Sequence, residues 1–246
     1  MVGKLLMRGM LAGIAAGLIT FGFAKIVGEP QVDRAISLEE KLDAAKGDEP
    51  GHDHDHEVEL VSRHTQAGLG LLTGVVTYGA AFGGLFSLVF AYAYGRGGRL
   101  PARQLAAWLA LAAFIALVIV PNIKYPANPP AVGDPDTIGQ RTGLFFLMIA
   151  VSIATMVFSV GVRRHLLAKL GQWNASIVAG LVFVAIIAAV QLGLPSFDEV
   201  PAAFPAALLW KFRVAALGMQ AIMWTTIGLL FGAWVERSER IAMRAA

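Results

Sequence analysis

The chain has no cysteine. Disulfides, thiolate metal centres and thiol nucleophiles are therefore excluded. Charge is scarce as well: Asp, Glu, Lys and Arg make up 15% of the 246 residues, against about 25% in an ordinary soluble domain. Hydrophobic residues reach 57%, and mean hydropathy is +0.64. A soluble fold of this length needs far more polar surface, so the composition points to a membrane protein with several spans. Acidic residues are missing from the long apolar runs. A proton-coupled pump or a charge-neutralised cation site ordinarily places a carboxylate there. Catalytic signatures are missing too: there is no G-x-S-x-G, no H-E-x-x-H, no P-loop and no paired intramembrane aspartate. Walker-type ATP hydrolysis is excluded, and the chain reads as a non-enzyme.

What is present is an all-α integral membrane protein, a single membrane domain over 1–246. Its bundle of about six transmembrane helices covers approximately 5–27, 67–94, 104–120, 142–162, 173–192 and 214–234. The first run follows Lys4 and Arg8 without a convincing small-x-small cleavage site, so it reads as a retained span and not a signal peptide. Gly9, Gly13 and Gly17 leave one of its faces smooth for close helix contact. The third run is expected to stop at Pro121. Basic residues cluster at Lys4 and Arg8, at Arg96, Arg99 and Arg103, at Arg163, Arg164 and Lys169, and at Arg237, Arg240 and Arg244. With six spans, all four clusters fall on one side, which puts both termini in the cytoplasm. The segment 28–66 is then an outer His- and acid-rich loop, holding 11 of the 17 acidic residues. An acidic outer face concentrates cations. Two blocks of three spans have the parity of an inverted repeat, although no residue-level repeat is visible.

The densest ligand source is His52-Asp53-His54-Asp55-His56-Glu57. Imidazole suits Co, Ni, Zn or Cu, and affinity order alone does not choose among them. The competing reading is a solvated linker with incidental histidines. His64, near Gln66 at the mouth of the second span, is a candidate handover ligand or an interfacial histidine. Before the run, Pro30 suits the first turn of a short helix over 32–45. The second outer loop, 121–142, carries five prolines, which stiffen it. Thr137 and Gln140 have capping-box spacing, and Asp136 suits the same helix start. Within the spans, Met219 and Met223 lie one turn apart beside Gln220. Such pairs are usually core. Lys211 and Arg213 are expected to snorkel to the outer interface.

Gly28-Glu29-Pro30-Gln31-Val32-Asp33-Arg34-Ala35 with Glu39-Glu40, a His-rich patch, and Ser62-Arg63 with Gln66 form one group of motifs. Lys124-Tyr125-Pro126-Ala127-Asn128-Pro129-Pro130-Ala131-Val132-Gly133 and Thr137-Ile138-Gly139-Gln140-Arg141-Thr142 form another. Together they resemble the CbtA family of bacterial membrane proteins, predicted cobalt transporter subunits, over essentially the whole chain. The resemblance implies a multi-pass protein of the cell inner membrane. It would take up a divalent transition-metal cation, most specifically Co²⁺, with Ni²⁺ as the other candidate, in support of cobalamin supply. No tightly bound cofactor is implied. The small membrane protein CbtB is the implied partner besides the lipid bilayer. Nothing calls for nucleic acid, and homo-oligomerisation is left open. The histidines and their acids, with His64, would collect the ion. An entrance would form from Glu29, Gln31, Asp33, Arg34, Arg63, Gln66, Lys124, Tyr125, Asn128, Asp136 and Arg141, where the two stiff motifs meet. The alternative is a non-transporting metal-binding or assembly subunit of a membrane complex. A membrane enzyme acting on a cobalamin precursor or a lipid has no supporting residues.

Overall fold

The structure, a computed structural model, describes residues 2–46, 61–96 and 100–245. Every regular element among them is helical. α1 (Val2–Phe23) passes through a π-helical turn (Ala24–Gly28) directly into α2 (Glu29–Lys46). A one-turn α3 (Arg63–Thr65) passes through a second π turn (Gln66–Gly70) into α4 (Leu71–Ala93). α5 (Ala102–Ala113) passes through a third (Phe114–Ile119) into α6 (Val120–Lys124). A 3-10 turn (Pro135–Thr137) opens α7 (Ile138–Gly193), and α8 (Ala206–Ala245) ends the described chain. Among the described residues, five helices are long and apolar enough to cross a membrane.

The chain does not break at Gly28, nor does the third run end at Pro121. The reason is shared. A proline inside an α-helix lacks the N–H for its i−4 carbonyl, and its ring collides with that carbonyl. In both places a π turn comes first, and the proline falls in the first turn of the next α segment. The N–H there is not needed. Glu29 N–H bonds to Ala24 O and Val120 N–H to Ile115 O, each five residues back. The helix therefore widens, admits the proline and continues.

Two compact units can be distinguished. The first comprises 1–111, 128–131 and 203–246, and the second 112–127 and 132–202. They do not follow a division into two blocks of three spans. In the first unit, α1 and α4 run antiparallel along facing glycines. A Cβ built on Gly9 would overlap the Gly83 carbonyl oxygen, and one on Gly13 the Gly79 carbonyl oxygen. A Cβ on Gly17 would stand 2.8 Å from Val76 Cα. Backbones this close gain dispersion contacts along their length, which drives helix association where lipid is as apolar as the side chains. α8 packs against the pair through aromatic edges: Phe231 meets Phe86 and Phe90 with ring centroids 5.5 and 5.0 Å away. Trp224 meets Phe82 at 5.5 Å. Tyr94, just beyond α4, donates to Glu239 Oε1 at 2.7 Å, which pushes the phenol up to about 12.

In the second unit, α7 doubles back at Gly171, whose φ of 71° and ψ of 171° are not helical. This left-handed φ is open to glycine and strained for other residues. A straight helix of 56 residues would be about 84 Å long at ~1.5 Å per residue. Instead, Arg141 near its start pairs at 3.3 Å with Glu199, just past its end. Beside the reversal, Arg163 Nε donates to Ser176 Oγ at 2.9 Å. Met148 and Ile187, from the two arms, share a core with Val120 and Tyr125. Much of the outer surface of α7 is bare hydrocarbon, with Val157 67% and Leu181 65% exposed. Such a surface suits lipid and not water.

The glycine seam yields a direct expectation. Gly13→Ala should lower stability by about 1–3 kcal/mol, because the new methyl meets a backbone oxygen that cannot move aside. Gly22→Ala, with nothing within 4 Å of its Cβ, should be neutral or mildly stabilising. Thermal unfolding in detergent, followed by helical circular dichroism, separates the two. Equal melting of both variants would contradict a close α1–α4 contact.

Candidate functional site

The first group of motifs assembles at the end of the first unit where α2 and α3 meet. Ser62 opens α3, its Oγ accepting from Thr65 N at 3.4 Å. That turn carries Arg63 back onto α2. Arg63 Nη2 donates to Glu29 Oε2, and Nη2 and Nε reach Asp33 Oδ1 at 2.8 and 3.2 Å. Glu29 and Asp33 are four residues apart, hence on one helix face. The Glu29 side chain is only 12% exposed, so removing its guanidinium partner would strand a largely desolvated charge. Gln31 and Arg34 bond to each other, Arg34 Nη1 donating to Gln31 Oε1 at 3.3 Å. Gln66 turns to its own loop, Nε2 donating to Val61 O at 2.7 Å. His64 sits exposed on α3.

Beneath this cluster lies a contact that sequence reasoning missed. In the second π turn, Leu71 N–H bonds to Gln66 O and Gly68 O and passes over Ala67 O. Lys25 Nζ, in the first π turn, donates to that Ala67 carbonyl at 3.1 Å. Lys25 lies near the end of the first apolar run, 5–27. Nothing in the local pattern marks a π turn, so its partner had no signal.

The second motif assembles within the other unit against 195–199, a segment valued too little from sequence. Tyr125 OH donates to Pro195 O at 2.9 Å, and Lys124 Nζ to Ser196 Oγ at 2.8 Å. Burial pushes the Tyr125 phenol up, which keeps its proton available for that bond. Gln191 Nε2 donates to Val120 O at 2.9 Å. Further along, Glu199 collects three donors. Its Oε1 accepts from Thr137 Oγ1 at 2.6 Å, and Oε2 from Asp134 N at 2.9 Å and Arg141 Nη1 at 3.3 Å. These hold its carboxyl below the ordinary value, the Thr137 hydrogen bond most, then Asp134, then the Arg141 charge, with desolvation opposing. The expected capping box does not form. Thr137 makes no side-chain cap to α7; its hydroxyl is instead turned to Glu199 Oε1 and the Asp134 carbonyl. Asp134 caps instead, its Oδ1 accepting from Asp136 N at 2.9 Å. Gly133 makes room for this latch: at φ 121°, a Cβ there would stand 2.6 Å from Arg141 Nη2.

The stretch 128–131 belongs to the first unit. Asn128 Oδ1 accepts from Arg213 Nη2 at 2.9 Å, so Arg213 is tied to the loop and is not simply a snorkelling cation. Each motif thus finds its partners within one unit: Glu29 and Asp33 with Arg63, Lys124 and Tyr125 with 195–196, Arg141 with Glu199. The run His52 to Glu57 lies outside the described residues. Among the described residues, no group of three or more His, Asp or Glu is arranged to hold a metal ion.

Long helices with bare hydrocarbon faces, and charge gathered at their ends, define a multi-pass helical membrane protein. The chain belongs to the CbtA family, whose sequence model, described as "Probable cobalt transporter subunit (CbtA)", matches residues 2–236. Comparisons with curated proteins and with solved structures each returned no match.

The Glu199 latch makes stability depend on pH in a defined direction. Its folded value lies below the ordinary 4.5, so its contribution is complete above the unfolded value and is lost as pH falls through the folded one. Glu199→Gln should melt earlier than the unaltered chain at neutral pH, and the gap should close on acidification. A gap that persists under acid would show that ionised Glu199 does not hold the loop.

Proposed function

We propose that this chain is a membrane subunit for uptake of a divalent transition-metal cation, Co²⁺ first and Ni²⁺ second, in support of cobalamin supply. The family match over residues 2–236 carries this reading. The electrostatics favour it: 15 of the 17 carboxylates fall on the outer side of the proposed topology, against nine of the 20 basic residues. Both termini lie in the cytoplasm of a cell whose inner membrane the chain crosses six times. The reversal at Gly171 supports a double crossing by α7, since each arm, 138–170 and 172–193, is long enough to span. His52, His54 and His56, with Asp53, Asp55 and Glu57, collect the ion outside, and His64 receives it. Glu29, Asp33 and Arg63, with Gln31, Arg34, Gln66 and Asn128, are the proposed ion-path residues of the first unit. Lys124, Tyr125, Asp136 and Arg141 are those of the second. CbtB is the proposed partner.

Flux is the direct test. The chain reconstituted in liposomes with CbtB should admit Co²⁺ from the outside. Absence of flux with the partner present would leave a non-transporting metal-binding subunit. Replacing His52, His54 and His56 with Ala should slow uptake at limiting Co²⁺ and matter little at saturation. Unchanged uptake at limiting metal would reduce the run to a spacer.

Topology can be read separately on this cysteine-free background. Single cysteines at 54 and 128 should label from outside, and one at 169 from the cytoplasm. Labelling of 54 and 169 from the same side would refute six crossings.

A further inference from the structure

A cavity of about 440 Å³ lies within the first unit, among α1, the π turn leading into α4, α4 itself and α8. Thr20, Gly70, Tyr78, Met219, Gln220 and Met223 are among its lining residues. Thr20 is 1% exposed, and its Oγ1 has no hydrogen-bond partner. A buried hydroxyl is normally bonded, so this one, on a residue that lines the cavity, has capacity for a partner. Met219 and Met223 are four residues apart on one face of α8. Methionines in apolar helices ordinarily fill gaps, but these two border open space. Met219 Sδ also stands 3.9 Å from where a Cβ of Gly28 would be, so the thioether reaches the first π turn. Gly70 closes the second.

The donor-bearing lining residues carry two thioethers, an amide, the Thr20 hydroxyl and the Tyr78 phenol, with no carboxylate among them. Thioether sulfur is soft and favours transition metals over Mg²⁺ and Ca²⁺, which prefer oxygen. Uncharged donors do not neutralise the ion, so they hold it weakly. A permeation site needs that combination, attractive enough to enter and weak enough to leave. We infer that this cavity is the intramembrane stopping place of the transported cation, with Met219 and Met223 as sulfur donors and Thr20 and Gln220 as oxygen donors. The inference rests on the uptake reading and adds to it a place and a basis for selectivity.

The test uses the full chain in detergent, with His52, His54, His56 and His64 replaced by Ala so that imidazole does not mask the site. Titration with CoCl₂ should produce a saturable sulfur-to-cobalt charge-transfer absorption that excess MgCl₂ does not displace. Met219→Leu with Met223→Leu should abolish the band while helical circular dichroism and elution volume stay unchanged. Thr20→Val should weaken apparent Co²⁺ affinity several-fold and leave the band position unmoved. No band, or a band indifferent to the double Leu variant, overturns the site. Should the double variant not fold, the unmutated chain labelled with selenomethionine decides. The band moves to longer wavelength if the chalcogen is a ligand and stays in place if it is not. Liposome flux separates this site from the uptake reading. A band without flux refutes uptake and keeps the site, and flux without a band does the reverse.

Discussion

Inside a bilayer, a backbone carbonyl without a partner costs several kcal/mol, because no water can replace the missing donor. That constraint shapes the unusual places in this chain. Pro30 and Pro121 sit within continuous helical stretches, each after a π turn that brings it into the first turn of a new α segment. In the second π turn, Ala67 O is passed over by Leu71 N–H and is met instead by Lys25 Nζ. The residues of the proposed entrance cluster at these same places. Glu29 follows the first π turn, Arg63 precedes the second, and Lys124 and Tyr125 follow the third. π turns recur at functional sites in helical proteins because the widened turn frees backbone groups and redirects side chains.

The charged clusters do structural work. Arg63 neutralises a largely buried Glu29, and Glu199 ties Thr137, Asp134 and Arg141 into one knot. Removing one partner from such a knot leaves desolvated polar groups behind. These clusters therefore fix loop geometry. Away from them, the walls of the cavity carry neutral donors only. Charge at the ends and softness inside fit an ion that is attracted outside and released within.

Much of this was legible from residues. Long apolar runs announced the helices, and Gly9, Gly13 and Gly17 announced a face for close helix contact, which α4 fills, because both signals are periodic and local. The reversal at Gly171 falls between two apolar runs that Arg163, Arg164 and Lys169 separate. Tertiary competition was not legible. Thr137 had the spacing of a capping box, yet its hydroxyl went to a carboxylate 62 residues away. Pro121 looked like a stop, yet a π turn let the helix pass it. Met219 and Met223 looked like packing, and only the cavity with the unbonded Thr20 hydroxyl gives them another use.

An anomalous difference map at the cobalt absorption edge, from the full chain crystallised with Co²⁺, tests the central claim most directly. The account predicts density in the cavity between α1 and α8, beside Met219 and Met223. Cobalt found only on surface carboxylates or histidines, with the cavity empty, would contradict it.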